Sequence, residues 1–228
     1  MSKISCIIAA HNEEPRIGNV LKAISGHHLV SEIIVVDDGS RDGTVDVVKK
    51  FSGVRLIALE KNRGKSNAVA EGLKEAKGKF IFTLDADLEG LTPKNIADLL
   101  EPVATGQADV SISLRGNSPW IDRVIGLDYI SGERVFPRSY VSDRIEDIKK
   151  LPRFGLEVFF NRIIINKEAR IKIVYWEKVR SPMKFEKDKR GKLSGVWGDV
   201  KMIGNIMQVI SPLEVAYQFA AMTKLKVK

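Results

Sequence analysis

A single cysteine in 228 residues, Cys6, excludes a disulfide framework within the chain and leaves no cluster for a structural zinc site. It sits inside the apolar run ISCIIAA, and the expected compartment is a reducing cytoplasm. Long hydrophobic runs are missing too. No segment reaches the roughly 18 uncharged residues that a membrane-spanning helix needs. The opening MSKISCIIAAHNEE has too short an apolar stretch, and no small-residue cleavage region, for an export signal. The expectation is a chain that is neither exported nor transmembrane. Two nucleotide-binding patterns are also absent. Gly64-Lys65-Ser66 ends like a phosphate-binding loop, but the glycine required five positions earlier is Leu59, and no G-x-G-x-x-G follows the first apolar run. There is no internal repeat and no low-complexity linker.

What is present suits a substantial core: 44% hydrophobic and 29% charged residues. The formal net charge of +8 is unevenly distributed. Residues 1–114 hold 14 Lys+Arg against 16 Asp+Glu, whereas residues 115–228 hold 23 against 13. The basic second half suits an anionic partner such as a phosphorylated substrate, lipid headgroups or nucleic acid; a solvated basic surface is the plainer reading.

The first half alternates apolar runs with amphipathic segments, the pattern of βαβ units. Strands are predicted at 4–10, 32–38, 54–59, 79–85 and 109–114, and helices at 15–24, 44–51, 66–76 and from Thr92-Pro93 to Leu100. The strands lack polar alternation, as expected when helices cover both faces of a parallel sheet. Beyond residue 115 the order is less regular. DRVIGLDYI, RIEDIKKL and GLEVFFNRIIINKEA read as helices, SGERVFPRSY as strand or loop, and IKIVYWEKV as a further strand. SPMKFEKDKRGKLSG (181–195) reads as a basic loop, followed by one or two amphipathic helices.

In an open α/β sheet, ligands bind beyond the carboxyl ends of the strands. Polar clusters end four of the predicted strands: His11-Asn12-Glu13, Asp37-Asp38-Gly39-Ser40, the loop from Glu60 to Lys65, and Asp85-Ala86-Asp87-Leu88-Glu89. Turn chemistry alone accounts for any one of them; four on one edge suggest a site.

The order AAHNEE, EIIVVDDGSRDGT, EKNRGKSNAVAEGL and FIFTLDADLE closely resembles the family-2 glycosyltransferases, and within them the polyprenyl-phosphate (dolichyl-phosphate-like) sugar transferases. The likeness is strong over about residues 3–115 and weaker to about 190. It implies a GT-A fold: a Rossmann-like, mainly parallel sheet with helices on both faces and a more irregular acceptor-side C-terminal half. Residues 1–115 would form the nucleotide-sugar half, 116–195 the acceptor side of the same catalytic domain, and 196–228 an amphipathic tail. The resemblance places Ala9, His11, Glu13 and Asp38 at the nucleotide, with Asp37 supporting the turn, and Lys65 at the nucleotide or diphosphate. It makes Asp85 and Asp87 the DxD pair for Mg²⁺ or Mn²⁺, with Glu89 at the position that completes the metal site; relatives often carry an uncharged residue there. A hard cation held by carboxylates would stabilise the departing nucleoside diphosphate.

For the acceptor, SGERVFPR resembles the segment that follows the sheet in the family and makes Arg134 and Arg138 candidates for a phosphate; Lys184 and Lys187 would meet the diphosphate or lipid headgroups. A hydroxyl acceptor needs a carboxylate base, for which Glu146-Asp147 and Glu157 are candidates, with Glu157 preferred. The resulting expectation is an inverting, metal-dependent transfer from a UDP- or GDP-sugar to a polyprenyl phosphate, with Asp87, Glu157 and Arg134 at the reacting centre. The partners would be donor, lipid phosphate and a peripheral membrane contact, with no nucleic acid and a homodimer left open. A soluble enzyme with a hydroxyl acceptor and a non-catalytic binding module are the alternatives. The C-terminal apolar residues Met202, Ile203, Ile206, Met207, Val209, Ile210, Tyr217 and Phe219 suit a bilayer interface, a dimer contact or docking on the catalytic domain.

Overall fold

A computed structural model of the chain describes residues 3–152, 155–182 and 210–227. Seven strands form one sheet: β1 (Ile4–Ala10), β2 (Val30–Asp37), β3 (Val54–Ala58), β4 (Phe80–Thr83), β5 (Val110–Arg115), β6 (Arg134–Pro137) and β7 (Ile171–Trp176), in the order β3-β2-β1-β4-β6-β5-β7. All neighbours pair in parallel except β6, which runs antiparallel to both β4 and β5. Strand order reverses between β2 and β4 across β1, which opens the crevice where α/β sheets bind ligands.

The unbroken apolar strands are explained by two cores. In β1, Ile4, Cys6 and Ile8 face one and Ile7 the other; in β2, Ile33 and Val35 oppose Ile34 and Val36. Helices α1 (Glu14–Ile24), α2 (Thr44–Lys49) and α4 (Pro93–Ala104) cover the first face. Helices α3 (Lys65–Glu75), α6 (Ile145–Lys149), α7 (Gly155–Asn166) and α8 (Pro212–Lys224) contribute to the second. Cys6 is buried and unpaired, and burial pushes its thiol pKa well up, so it acts as a small apolar side chain. The Thr92 cap is realised as a reciprocal box: its hydroxyl accepts from the Asn95 backbone N–H, and Asn95 Oδ1 accepts from the Thr92 N–H.

The second half adds to the same sheet. β6 is the SGERVFPR segment, inserted between β4 and β5, and β7 extends the edge. The helix read through DRVIGLDYI is shorter than expected. It forms α5 (Trp120–Ile125) and stops at Gly126, whose left-handed conformation (φ 70°) suits a residue without a Cβ. The chain then enters the interior irregularly, burying Leu127, Asp128 and Tyr129. Of the C-terminal segment, Ile210 packs with Tyr129 and Val158, Phe219 stacks on Tyr129 at 4.6 Å and Met222 enters the second core. Tyr217 is exposed. Lys184, Lys187, Met202, Ile203, Ile206, Met207 and Val209 lie outside the described residues. Among the described residues, no helix is long and apolar enough to cross a membrane.

Candidate active site

Asp85, Asp87 and Glu89 leave β4 on alternate positions, between the buried Leu84, Ala86 and Leu88. Apolar anchoring of every second residue holds the three carboxylates on the more open side of the strand extension. Their partners then separate them. Asp85 Oδ1 lies 2.8 Å from Lys65 Nζ and its Oδ2 is 3.9 Å from Arg115 Nη1. Asp87 Oδ2 accepts from the Ser181 hydroxyl at 2.9 Å. Glu89 accepts from Arg180 Nε and Nη2 at 2.8 and 2.7 Å, lies 3.8 Å from Arg16, and exchanges two backbone hydrogen bonds with Arg180.

Glu89, expected to complete the metal site, is paired with Arg180 and Arg16 in this structure. Its carboxylate joins the strand-end loop to the segment after β7, and among the described residues no three His, Cys, Asp or Glu side chains form a metal-holding group. The donor set does fit a hard divalent cation of the kind held by one or two carboxylates, with substrate phosphates and water completing its shell. Asp87 and Asp85 supply such oxygens.

Lys65 is the hub of the pocket. It begins α3 after the turn that Asp38 organises, whose two carboxylate oxygens accept the backbone N–H groups of Arg63 and Gly64 at 2.8 and 2.7 Å. Asp38, expected at the nucleotide, here shapes the loop that presents Lys65. Asp37 supports its own turn by accepting from Ser40 N and Oγ. Lys65 Nζ also donates to Glu157 Oε1 at 3.1 Å, joining positions 92 residues apart. Burial opposes the ammonium charge, but Asp85 and Glu157 outweigh it and raise the Lys65 pKa. Burial likewise opposes ionisation of Asp85, yet Lys65 and Arg115 hold its pKa below the usual carboxylate range. Ala9, Ile7, Thr83, Gly132, Arg134 and Phe160 help line the same pocket. Glu13 is buried, its backbone N–H bonded to Thr44 Oγ1, whereas His11 is exposed beside Asn12.

The arginine expectations change. Arg134 is 1% exposed; its Nε and Nη2 donate to the carbonyls of Ser131 and Tyr129 at 2.7 and 2.8 Å, and its Nη1 donates to Asn161 Oδ1. It lines the pocket and braces its wall through these three contacts. Arg138 is at the wrong end of the sheet. Because β6 is antiparallel, Arg134 pairs with Thr83 at the carboxyl end of β4 while Arg138 N reaches Lys79 O beyond its start. Glu146, a candidate base with Asp147, is surface-exposed and paired with Lys74 and Lys149.

Arg115 was missed. It ends β5 as the Asp and Lys clusters end or follow the other strands, so the strand-end rule applied to DVSISL would have found it. Its guanidinium reaches Asp85, Asp128 and Glu133, and its Nε is buried without a hydrogen-bond partner. Asp128 and Glu133 are both fully buried. They carry no comparable sequence signal, since the segment that bears them follows no regular period.

Glu133 gives a pH expectation. Burial pushes its pKa up to about 7, Arg115 opposing and Asp85 and Asp128 adding to the rise. The folded state thus holds this proton more tightly than the unfolded chain. The associated stability is complete below the unfolded carboxylate pKa and lost as pH rises through about 7. Urea unfolding at pH 5 and pH 8 should show that decline in the natural protein and its absence in Glu133→Gln.

Gly132 carries a steric expectation. A Cβ there would meet the Asp85 carboxylate. Gly132→Ala should displace Asp85 from Lys65 and lower activity by about 10²-fold, with a stability cost of about 1–3 kcal/mol. An unchanged kcat/KM would refute this close packing.

The fold and the acidic, cation-lined strand ends define a GT-A type glycosyltransferase architecture. Glucosyl-3-phosphoglycerate synthase from Mycobacterium tuberculosis, crystallised with Mn²⁺, uridine diphosphate and glucosyl-3-phosphoglycerate, superposes with a TM-score of 0.67 at 22% identity, covering 91% of this chain and 80% of that one. The family model for glycosyl transferase family 2 matches residues 5–167, and the chain belongs to that family. Among curated relatives, a dodecaprenyl-phosphate galacturonate synthase from Rhizobium johnstonii is 27% identical over 179 residues, 74% of this chain and 50% of the relative. An undecaprenyl-phosphate 4-deoxy-4-formamido-L-arabinose transferase from Pseudomonas aeruginosa is 31% identical over 139 residues, 54% of this chain and 40% of the relative. The chain thus spans half or less of the length of these two relatives.

Proposed function

We propose that this protein transfers a sugar from a nucleotide-sugar donor to a polyprenyl phosphate, with a divalent cation at the diphosphate and inversion at the anomeric carbon. The observation that carries the choice of acceptor is the pairing of Glu157. This favoured candidate base is buried, and its Oε1 is engaged by the Lys65 ammonium at 3.1 Å instead of being open to the proton of an incoming hydroxyl. A phosphate monoester is already an anionic nucleophile and needs cations to position it. Lys65 lines the pocket, and Arg115, whose Nη1 is 3.9 Å from the pocket's Asp85, keeps a buried Nε–H without a hydrogen-bond partner.

Asp87, with Asp85 beside it, would hold Mg²⁺ or Mn²⁺ through oxygen ligands. Bound there, the cation supplies charge stabilisation for the nucleoside diphosphate leaving group. Lys65 bridges Asp85 and Glu157 and is placed to exchange one of those contacts for a phosphate oxygen. Asp38 shapes the loop that carries it, and Arg134 and Asn161 brace the wall near Glu157. Lipid-phosphate relatives and the basic second half support a peripheral membrane setting.

A panel of UDP- and GDP-sugars, tested with Mg²⁺ or Mn²⁺ and a short polyprenyl phosphate, checks this reading. Metal-dependent release of nucleoside diphosphate, stimulated by the lipid phosphate, is expected. Undiminished activity in chelator would remove the cation from the account. Stimulation only by a hydroxyl-bearing sugar would replace the acceptor.

A further inference from the structure

We infer that Asp128 and Glu133 are positioning residues that hold the Arg115 guanidinium ready for the acceptor's anionic group, an inference that rests on the function proposed above. Arg115 Nη2 donates to Asp128 Oδ2 at 3.2 Å, and Nη1 to Glu133 Oε1 at 3.4 Å. Each acid is fixed in turn. Asp128 Oδ2 accepts from Ser118 Oγ at 2.6 Å and its Oδ1 from the Ile130 N–H at 3.2 Å. Glu133 Oε2 accepts from Ser113 Oγ at 2.7 Å and Ser131 Oγ at 3.0 Å. Both acids have zero exposure.

Two buried acids on one guanidinium are one partner more than pairing a single charge needs, and burying ionisable groups is costly enough that apolar replacements are often no less stable. The arrangement has a geometric effect instead. It takes up the two terminal nitrogens of Arg115 and holds Nη1 3.9 Å from Asp85, beyond hydrogen-bond distance. Lys65 Nζ, at 2.8 Å, makes the shorter ion pair with Asp85. Arg115 is prevented from collapsing onto the DxD carboxylate, and its Nε–H keeps no protein partner. A fixed guanidinium that keeps one N–H unspent, with its Nη1 3.9 Å from a carboxylate that lines the pocket, is preorganised for an oxyanion.

The test is a double-mutant cycle on the full chain, using Glu133→Gln, Arg115→Met and the double variant. Affinity for a short polyprenyl phosphate is read by titration calorimetry, together with KM and kcat for transfer. Glu133→Gln should raise the acceptor Kd and KM at least tenfold while changing kcat at saturating acceptor by less than threefold. In the Arg115→Met background the same change should add less than twofold, because the acid acts through the arginine. Asp128→Asn, run in the same cycle, provides a second acid if one variant does not fold. Multiplicative losses in the double variant, or a fall in kcat with unchanged acceptor affinity, would overturn the clamp. Metal-dependent nucleotide binding, followed separately, reports on the proposed function: its absence in the natural protein would sink that reading, whereas its presence with an additive cycle would sink only the clamp.

Discussion

Asp87→Ala is expected to lower metal-dependent transfer by at least about 10²-fold, because a Lewis-acid contact to the leaving diphosphate is worth several kcal/mol. The fold should survive, since Asp87 is a partly exposed residue beyond the end of β4, whose buried neighbours Leu84, Ala86 and Leu88 anchor the strand extension without it. Raising the cation concentration should recover part of the loss if the substrate diphosphate supplies the remaining ligands. Glu89→Gln should behave differently. Its carboxylate is held by Arg180 and Arg16 at an exposed site, so the change should cost well under 1 kcal/mol of stability and leave the metal dependence in place. Metal titrations of nucleotide release for the two variants distinguish these roles. Equal loss of metal affinity in both would make Glu89 a ligand.

Lys65→Met should have the second large effect, acting on both activity and stability. Lys65 is the cation shared by Asp85 and Glu157, and removing one partner from a buried ion pair costs about 3–5 kcal/mol. Because the Lys65 side chain is 43% exposed, water will recover part of this, and about 1–3 kcal/mol is expected. The pH dependence carries the sign. Asp85 has a depressed pKa in the folded protein, so its contribution to stability is present above the unfolded carboxylate pKa and lost as pH falls through the folded value. Without Lys65 the Asp85 pKa should rise, and the acid limb of both stability and activity should move to higher pH. Lys65→Arg should keep much of the stability but misplace the charge, giving reduced kcat. A Lys65→Met protein with the natural acid limb would mean that Arg115 alone sets the Asp85 charge.

The nucleotide half was legible because its signals are local. The apolar runs at 4–10 and 54–59 lie within one residue of β1 and β3, and Thr92-Pro93 opens α4 as the capping chemistry requires. The convergence of Lys65, Asp85 and Glu157 was only partly legible. Each residue stood out separately, but the ion pair between Lys65 and Glu157 joins positions 92 residues apart, which no sequence period encodes. Arg134 and Arg138 looked equivalent in SGERVFPR. The direction of β6 separates them, putting one under the pocket and the other at the far edge. Asp128 and Glu133 were invisible because a buried acid in an irregular segment resembles a solvated turn until its arginine partner is placed.

The central claim is a cation-assisted transfer to a phosphate that needs no general base. Its most direct measurement compares transfer of a labelled sugar to a short polyprenyl phosphate and to the corresponding polyprenol, with saturating donor and Mg²⁺ or Mn²⁺. The account predicts product with the phosphate, at least about 10²-fold less with the alcohol, and retention of the phosphate reaction in Glu157→Gln to within about tenfold. Equal transfer to both acceptors, or loss of the phosphate reaction with Glu157→Gln in a protein that still binds nucleotide and metal, would contradict it.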